Sequence, residues 1–347
     1  MGDDVNTLPT APTTPDRRAR LLAAKLAAVV APHTGGAAIR PGTFPPGAAL
    51  QVAARAWVLL DDTIDDGSGL GPAIAWALRG GSAELNVVAD APLEVVARRA
   101  GEFTVPIQVW TLAGRELQRV DPGATVAPPP VPAAHLALAA GIEAAGAAVV
   151  VEHGVVTGEV RGLEVCRVVD IDDGPGVRLE VGVGRHDREA FAIIHGDVPT
   201  GEALAGVVAA VTAARSPQAS GHPLNRLAPE RLLRWRLVQE PWLVTMESVR
   251  PAEPPVPRRS LSDRAPCVAV GRRVDGTAAV IVCSVGVDLD VVPYAADARL
   301  AAGVGAGVVG TTPETLIVVP ERDLLPVTSE LAELLREPLS LVSLERP

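Results

Sequence analysis

The stretch LNVVADAPLEVVARRAGEFTVPIQVWTL, residues 85–112, decides the fold class of this chain. A short apolar run rich in β-branched residues is followed by a segment with helical periodicity and then by a second such run. Strand, helix and strand in this order are typical of a parallel sheet with right-handed crossovers. A buried-strand candidate at 56–60 and a helix at 70–79 precede it. We therefore predict an α/β unit of the parallel βαβαβ type over residues 45–126.

The C-terminal residues show the same alternation. Strand and helix candidates follow one another from Val280 to Leu344, which predicts a second βαβαβ unit over residues 267–347. The segments 85–110 and 316–342 have nearly the same length, and in each a helix joins two strands. An internal repeat is one interpretation of this match, and the generic geometry of βαβ units is the other.

The chain between these units has a different pattern. A proline-rich linker at 127–133 is followed by a helix, by strands with a glycine- and proline-containing turn at 172–176, and by a second helix. This order predicts an αβββα domain over 127–220. We expect a basic helix and a proline-rich connector in 221–266, and a disordered tail with one helix in 1–44. The elements predicted for the middle domain are a helix at 135–147, strands at 148–153, 157–169, 177–185 and 190–195, and a helix at 201–215.

Three glutamates lie in the predicted helix and strands of this middle domain. Glu143 lies in the first predicted helix, Glu164 lies in GLEV, 162–165, on a hairpin strand, and Glu180 lies in EVG, 180–182, on the next strand. In this respect the segment resembles the PD-(D/E)xK nuclease-like superfamily. The resemblance implies a restriction-endonuclease-like fold in which Glu143, Glu164 and Glu180 hold Mg²⁺ or Mn²⁺. It also implies that Glu180 is catalytic and that the metal activates water for phosphodiester cleavage.

The motif departs from the family at its lysine. Glycine stands at 182 where the family has lysine, and glutamate stands at 164 where it has aspartate. Lys25 is the only lysine of the chain, so 30 of the 31 lysine and arginine residues are arginine. Because arginine stays protonated, it is a poor base. The resemblance therefore predicts a protein that binds nucleic acid, with cleavage altered or lost. The alternative for Glu164 is a cross-strand ion pair with Arg185, worth less than about 1 kcal/mol.

Two further clusters are candidates for a site. In the polar run 184–189, His186 can exchange a proton near neutral pH, and Asp187 can orient a neighbouring imidazole, which indicates hydrolase chemistry. The basic stretch from His222 contains the candidate phosphate-binding residues Arg226, Arg231 and Arg234. The alternatives are structural, since single histidines are often exposed and arginine-rich faces also pair with acidic neighbours.

Composition limits the functions that these clusters can serve. The chain has 347 residues, a net charge of -10 and 3% aromatic residues, which argues against binding nucleic acid through bulk charge or a long stacking surface. We find no signal-peptide pattern and no uncharged apolar run of about 20 residues, and so we expect a cytoplasmic protein without a membrane partner. The three cysteines are widely spaced, which predicts buried thiols rather than a disulfide framework or a zinc site.

Three functions remain open from the sequence. The first is a nuclease-like protein that binds or cleaves nucleic acid. The second is a non-catalytic regulatory or assembly protein that binds a small ligand or a protein partner, and we expect it to form a homo-oligomer or to have such a partner. The third is a hydrolase that depends on His186 and Asp187.

Overall fold

The computed structural model describes residues 14–45, 47–61, 67–171, 174–194, 199–219, 221–258, 265–306 and 313–345. It has mixed α/β architecture with three sheets, which confirms the predicted fold class at this level. Contacts within the chain divide it into a first unit, Met1–Gly123, and a second unit, Ala124–Pro347. Most of the tail predicted to be disordered lies outside the described residues.

The first unit is built on one six-stranded sheet whose strands lie in chain order. Its elements are α1 (Thr14–Val30), β1 (Ile39–Gly42), β2 (Gly47–Val52), β3 (Arg55–Leu60), α2 (Leu70–Arg79), β4 (Glu84–Ala89), α3 (Glu94–Ala100), β5 (Ile107–Ala113) and β6 (Glu116–Arg119). The strands β3, β4 and β5 are parallel, as the stretch 85–112 predicts, and the other neighbours are antiparallel. The core contains Leu26 and Val30 of α1 packed with Trp57 of the sheet.

The second unit begins with a four-stranded antiparallel sheet of order β10-β9-β8-β7. Its elements are α4 (Ala133–Leu136), α5 (Ala139–Ala144), β7 (Ala148–Glu152), β8 (Val155–Val160), β9 (Leu163–Asp170), β10 (Val177–Val181), α6 (Arg185–Ile194) and α7 (Thr200–Ala214). Ile142 of α5 and Leu204 of α7 are buried together with Leu163 of β9. Helices therefore cover this sheet through apolar contacts.

A five-stranded sheet completes the second unit. Its elements are α8 (Pro229–Gln239), β11 (Ser248–Ala252), β12 (Cys267–Arg272), β13 (Ala278–Cys283), α9 (Val291–Ala306), β14 (Glu314–Pro320), α10 (Pro326–Glu333) and β15 (Ser340–Leu344). The strands β11 to β13 are antiparallel and β13 to β15 are parallel. The first unit has the same order and directions in β1 to β5, and this identity of topology favours the interpretation of an internal repeat.

Three predictions for the middle of the chain are wrong in detail. The strand predicted at 157–169 is two strands, because Arg161 (φ +47°) and Gly162 (φ +75°) form a turn of the kind that two-residue hairpins use. The segment predicted as a strand at 190–195 belongs to α6 as far as Ile194, since a short apolar run alone does not distinguish strand from helix. The helix predicted at 135–147 is divided into α4 and α5. The sheet has four strands, whereas an αβββα core has three.

None of the helices in the described part of the chain combines the length and the apolar character that a bilayer crossing requires.

Candidate functional site

The second unit contains a cavity of about 640 Å³ with a highly charged lining. The hairpin β7–β8, the strand β9 and the start of α6 form most of its wall, and residues near α8 and after β11 complete it. Five arginines, three carboxylates and two histidines line it: Arg167, Arg185, Arg188, Arg231, Arg258, Glu152, Glu164, Asp187, His153 and His186. The charged lining therefore has more cationic than anionic side chains.

Two tight turns give this wall its shape. Residues 153 and 154 join β7 to β8, and both have positive φ, +49° for His153 and +75° for Gly154. The turn from β8 to β9 lies against α8, where a Cβ atom on Gly162 would lie 2.2 Å from the carbonyl oxygen of Arg231. Glycine is required there because a side chain would force α8 away from the sheet. The turn thus brings Arg231 to the cavity.

Glu164 holds two of the lining arginines in place. Nη1 of Arg188 donates to Oε1 of Glu164 at 2.8 Å, and Nε and Nη2 of Arg167 donate to its two oxygens at 3.0 Å each. Glu164 is 5% exposed and Arg188 is 8% exposed. The Glu164 carboxylate is thus shared by two guanidinium groups, and it positions both along the wall of the cavity.

A second set of ion pairs lies beside the cavity and joins the two sheets of the unit. Arg231 and Arg234 of α8 each pair with Glu152 of β7 and Glu159 of β8. Nη1 of Arg234 lies 2.7 Å from Oε1 of Glu152. Burial raises the pKa of Glu152, but the charges of Arg234 and Arg231 lower it by more, so the net shift is downward. Burial lowers the pKa of Arg231, and Glu159 and Glu152 raise it above its ordinary value. Glu152 and Arg231 are therefore held in their charged forms.

The three glutamates predicted to hold a metal are not brought together around one cation. Glu143 is exposed on α5, whereas Glu164 is buried by its arginines. Glu180 pairs with Arg178 at 2.8 Å, and Oε2 of Glu180 lies 3.5 Å from Nε of Arg188. Among the described residues, no group of three or more His, Cys, Asp or Glu side chains is arranged to hold a metal ion. The prediction of Mg²⁺ or Mn²⁺ stays a prediction.

The predicted ion pair between Glu164 and Arg185 is wrong. Arg185 begins α6 and pairs with Glu189 one turn later at 2.8 Å. The strand β10 ends at Val181, so Arg185 is not on the strand that would face Glu164. Arg188, three residues further, reaches Glu164 instead.

His186 and Asp187 both line the cavity, but they do not form the predicted pair. The His186 side chain is 98% exposed, and its Nδ1 lies 3.5 Å from Oε2 of Glu189. Oδ2 of Asp187 accepts a hydrogen bond of 2.6 Å from the backbone N–H of Val183. The Asp187 carboxylate thus caps the start of α6, in the manner of an acidic residue in a capping box. The polar run 184–189 was a useful signal for the cavity wall, although not for an acid–base pair.

The three arginines predicted to bind phosphate have different surroundings. Arg226 is exposed just before α8 and does not belong to the described lining of the cavity. Arg231 lines the cavity and is paired with two carboxylates, and Arg234 is 1% exposed behind it. The basic stretch therefore supplies mainly buried structural charges. Lys25, in the first unit, pairs with Asp90.

Two of the three cysteines, which the sequence predicts to be buried thiols, lie side by side in the five-stranded sheet. Cys267 and Cys283 are directly opposite each other on β12 and β13, and both are buried free thiols. A hydrogen bond that the Cys283 thiol makes with Cys267, together with burial, raises the pKa of Cys283 well above its ordinary value. The Cys283 thiol is therefore held in its neutral form.

His153 and Glu253 were not predicted as site residues. Oε1 of Glu253 accepts the backbone N–H of His153 at 2.6 Å and lies 3.1 Å from its Nδ1. Burial raises the pKa of Glu253, and the hydrogen bond from His153 only partly offsets this effect. The dipeptide His-Gly between two valine-rich runs was the available signal for the hairpin. No local pattern connects it with Glu253, which is 100 residues away.

Comparison of the chain with models of protein families, with curated proteins and with solved structures finds no match.

Proposed function

We propose that the second unit binds a small ligand carrying an oxyanion, such as a phosphate, sulfate or carboxylate group, in the arginine-lined cavity, and that its role is regulatory and non-catalytic. The observation that carries this proposal is the presence of five arginines in the lining of one cavity of about 640 Å³. Cavities of roughly 300–1,000 Å³ are typical of small-molecule sites. The planar guanidinium group is suited to oxyanions because it donates several hydrogen bonds in one plane.

Arg167 is the arginine most suited to contact a ligand directly. Its side chain is 39% exposed, and it is held by Glu164 through Nε and Nη2. Arg185 is more exposed, at 83%, and contributes charge at the edge of the cavity. Arg188 and Arg231 are deeply buried, and their carboxylate partners fix the wall from behind. The cavity therefore combines fixed cations with accessible ones.

The nuclease-like hypothesis and its restriction-endonuclease-like arrangement stay predictions. A metal bound by Glu164 would have to replace the contacts of this carboxylate with Arg167 and Arg188, and for this reason we favour an oxyanion over a cation in the cavity. Thermal stabilisation by Mn²⁺ alone would favour the nuclease hypothesis, and stabilisation by sulfate alone would favour oxyanion binding. The expected cytoplasmic location and the expected oligomer or protein partner also stay predictions.

The test is isothermal titration of the full chain with sodium sulfate at low ionic strength, where ion pairing is least screened. We expect saturable binding, and Arg167→Gln should weaken it by about tenfold or more, because one charge-assisted hydrogen bond is lost. Glu164 keeps Arg188 in this variant, so no buried carboxylate is left without a cation.

Arg273→Gln is the matched control for this titration. Nε and Nη2 of Arg273 donate hydrogen bonds to Glu314 at 2.8 and 2.7 Å, as the same atoms of Arg167 do to Glu164. Arg273 does not belong to the described lining of the cavity. We expect it to bind sulfate like the wild type. Absence of sulfate binding by the wild type, or equal weakening in the two variants, would overturn the proposal.

A further inference from the structure

The His153 imidazole is anchored at one side of the ring only. Its Nδ1 faces Oε1 of Glu253 at 3.1 Å, and the same oxygen accepts the backbone N–H of His153 at 2.6 Å. Two contacts to one carboxylate fix the ring relative to the hairpin. A carboxylate in this position selects the form of histidine that carries a proton on Nδ1. It also stabilises the imidazolium form, in which both ring nitrogens carry protons.

The other ring nitrogen, Nε2, is buried and has no hydrogen-bond partner among the described residues. A buried polar atom of this kind destabilises a protein unless a further group satisfies it. His153 lines the same cavity as the arginines that we propose to hold an oxyanion. An oxyanion accepts hydrogen bonds and donates none when fully ionised, so its natural counterpart is Nε2 with a proton.

We propose that His153 is a ligand-binding residue whose imidazolium donates a hydrogen bond from Nε2 to the oxyanion in the cavity, so that binding takes up one proton from solution. This inference rests on the proposed function. One proton leaves solvent or buffer and forms a bond to Nε2, while the proton on Nδ1 stays there and keeps its hydrogen bond to Glu253. No bond between heavy atoms forms or breaks. The bound state then has one additional positive charge against the anion.

The charged groups around His153 fit this assignment. Glu152, its neighbour on β7, is engaged by Arg231 and Arg234 of α8. Glu253, after β11, is therefore the carboxylate that supports the imidazolium. The remaining charged groups of the lining come from β9, the start of α6 and the connector: Glu164, Arg167, Arg185, His186, Asp187, Arg188 and Arg258.

A second histidine in the same unit, His135, supplies a matched control. Nε2 of His135 lies 3.0 Å from Oδ1 of Asp170, and its Nδ1 is buried without a hydrogen-bond partner in the described part of the chain. His135 is not part of the described lining of the cavity. A ring nitrogen without a partner is therefore common to both histidines, and proximity to the arginines distinguishes His153.

The test is calorimetric titration of the full chain with sodium sulfate between about pH 5.5 and 8, since sulfate keeps the same charge over this range. Each pH is measured in two buffers of different ionisation enthalpy, which gives the number of protons taken up. For the wild type we expect proton uptake on binding, and an affinity that falls by up to about tenfold per pH unit as the imidazole loses its proton.

Variants then assign the proton to one histidine. His153→Gln should bind sulfate more weakly and with little dependence on pH, whereas His135→Gln should keep the wild-type dependence. His186→Gln tests the other histidine of the cavity lining. Glu253→Gln should move the pH dependence to lower pH, because the imidazolium loses its carboxylate. Circular dichroism of each variant checks the fold, and proton uptake by the wild type needs no variant.

The possible failures are distinguishable. If the wild type does not bind sulfate at any pH in this range, the proposed function itself is overturned. If it binds sulfate without taking up a proton, or if His153→Gln keeps the pH dependence and His186→Gln loses it, only the role of His153 is overturned.

Discussion

Replacing Arg234 with methionine should destabilise the second unit strongly. Its side chain is 1% exposed and pairs with Glu152 and Glu159, whose side chains are 13% and 5% exposed. In the variant, two buried carboxylates would share Arg231 as their remaining arginine of this cluster. Breaking a buried pair by removing one partner costs about 3–5 kcal/mol, because a charge is left without compensation. This is a large part of the roughly 5–15 kcal/mol that stabilises a typical native protein.

The measurement is urea unfolding at pH 7, followed by circular dichroism, with the free energy of unfolding compared between wild type and variant. Arg273→Met is the matched control, since Arg273 pairs with Glu314 where both side chains are about 30% exposed, at 28% and 31%. An accessible pair of this kind contributes less than about 1 kcal/mol. If Arg234→Met costs no more than Arg273→Met, the buried cluster does not have the role that we assign to it.

A double variant separates the lost ion pair from lost packing. In Glu159→Gln/Arg234→Met, one buried negative charge is removed together with the positive one. We expect the double variant to be less destabilised than the sum of the two single variants, because the two positions are coupled. Simple additivity would show that the cost of Arg234→Met comes from packing alone.

Two further predictions concern acid stability and the turn at Gly162. The folded-state pKa of Glu152 is lowered from 4.5, so the stabilisation by its charged form is complete above pH 4.5 and is lost as the pH falls through the folded-state pKa. In urea unfolding between pH 7 and 3, the free energy of unfolding of Glu152→Gln should therefore fall less than that of the wild type. An equal fall in both proteins would contradict this. Gly162→Ala should cost more than Gly114→Ala in thermal unfolding, since both glycines have positive φ but a Cβ atom meets the Arg231 carbonyl at 2.2 Å only at Gly162 and meets nothing within 4 Å at Gly114. Equal costs would show that backbone strain alone, about 1–3 kcal/mol, decides both.

Runs of neighbouring residues predicted those strands and helices whose hydrophobic pattern is long enough to be recognised. The stretch 85–112 became β4, α3 and β5, because its buried runs and helical segment are long enough to be distinguished. The prediction was wrong at 190–194. This run is too short to distinguish the hydrophobic periodicity of a strand from that of a helix, and the capping contact of Asp187 starts a helix that includes it.

The candidate site was only partly predictable, because its pairings are distant in sequence. The polar run 184–189 and Glu164 were identified, and residues 184–188 of the run line one cavity together with Glu164. Arg234 was interpreted as a phosphate ligand because the window around it is basic, while its partners Glu152 and Glu159 lie 82 and 75 residues away. A local count of charges cannot show that a cation is already compensated.

The buried ion pairs also determine which arginines remain for a ligand. Arg231 contributes to the cavity wall and to the contacts that join the two sheets, so an anion that displaced Glu152 or Glu159 from it would weaken a buried cluster in which two carboxylates share two arginines. We instead expect a ligand to bind to cations that can donate to a further hydrogen-bond acceptor without leaving a buried carboxylate unpaired. Arg167 fits this condition because it is partly exposed and its partner Glu164 keeps a second arginine, and protonated His153 fits it through Nε2. The residues that best explain recognition are therefore a strand arginine and a hairpin histidine, neither of which lies in the basic stretch.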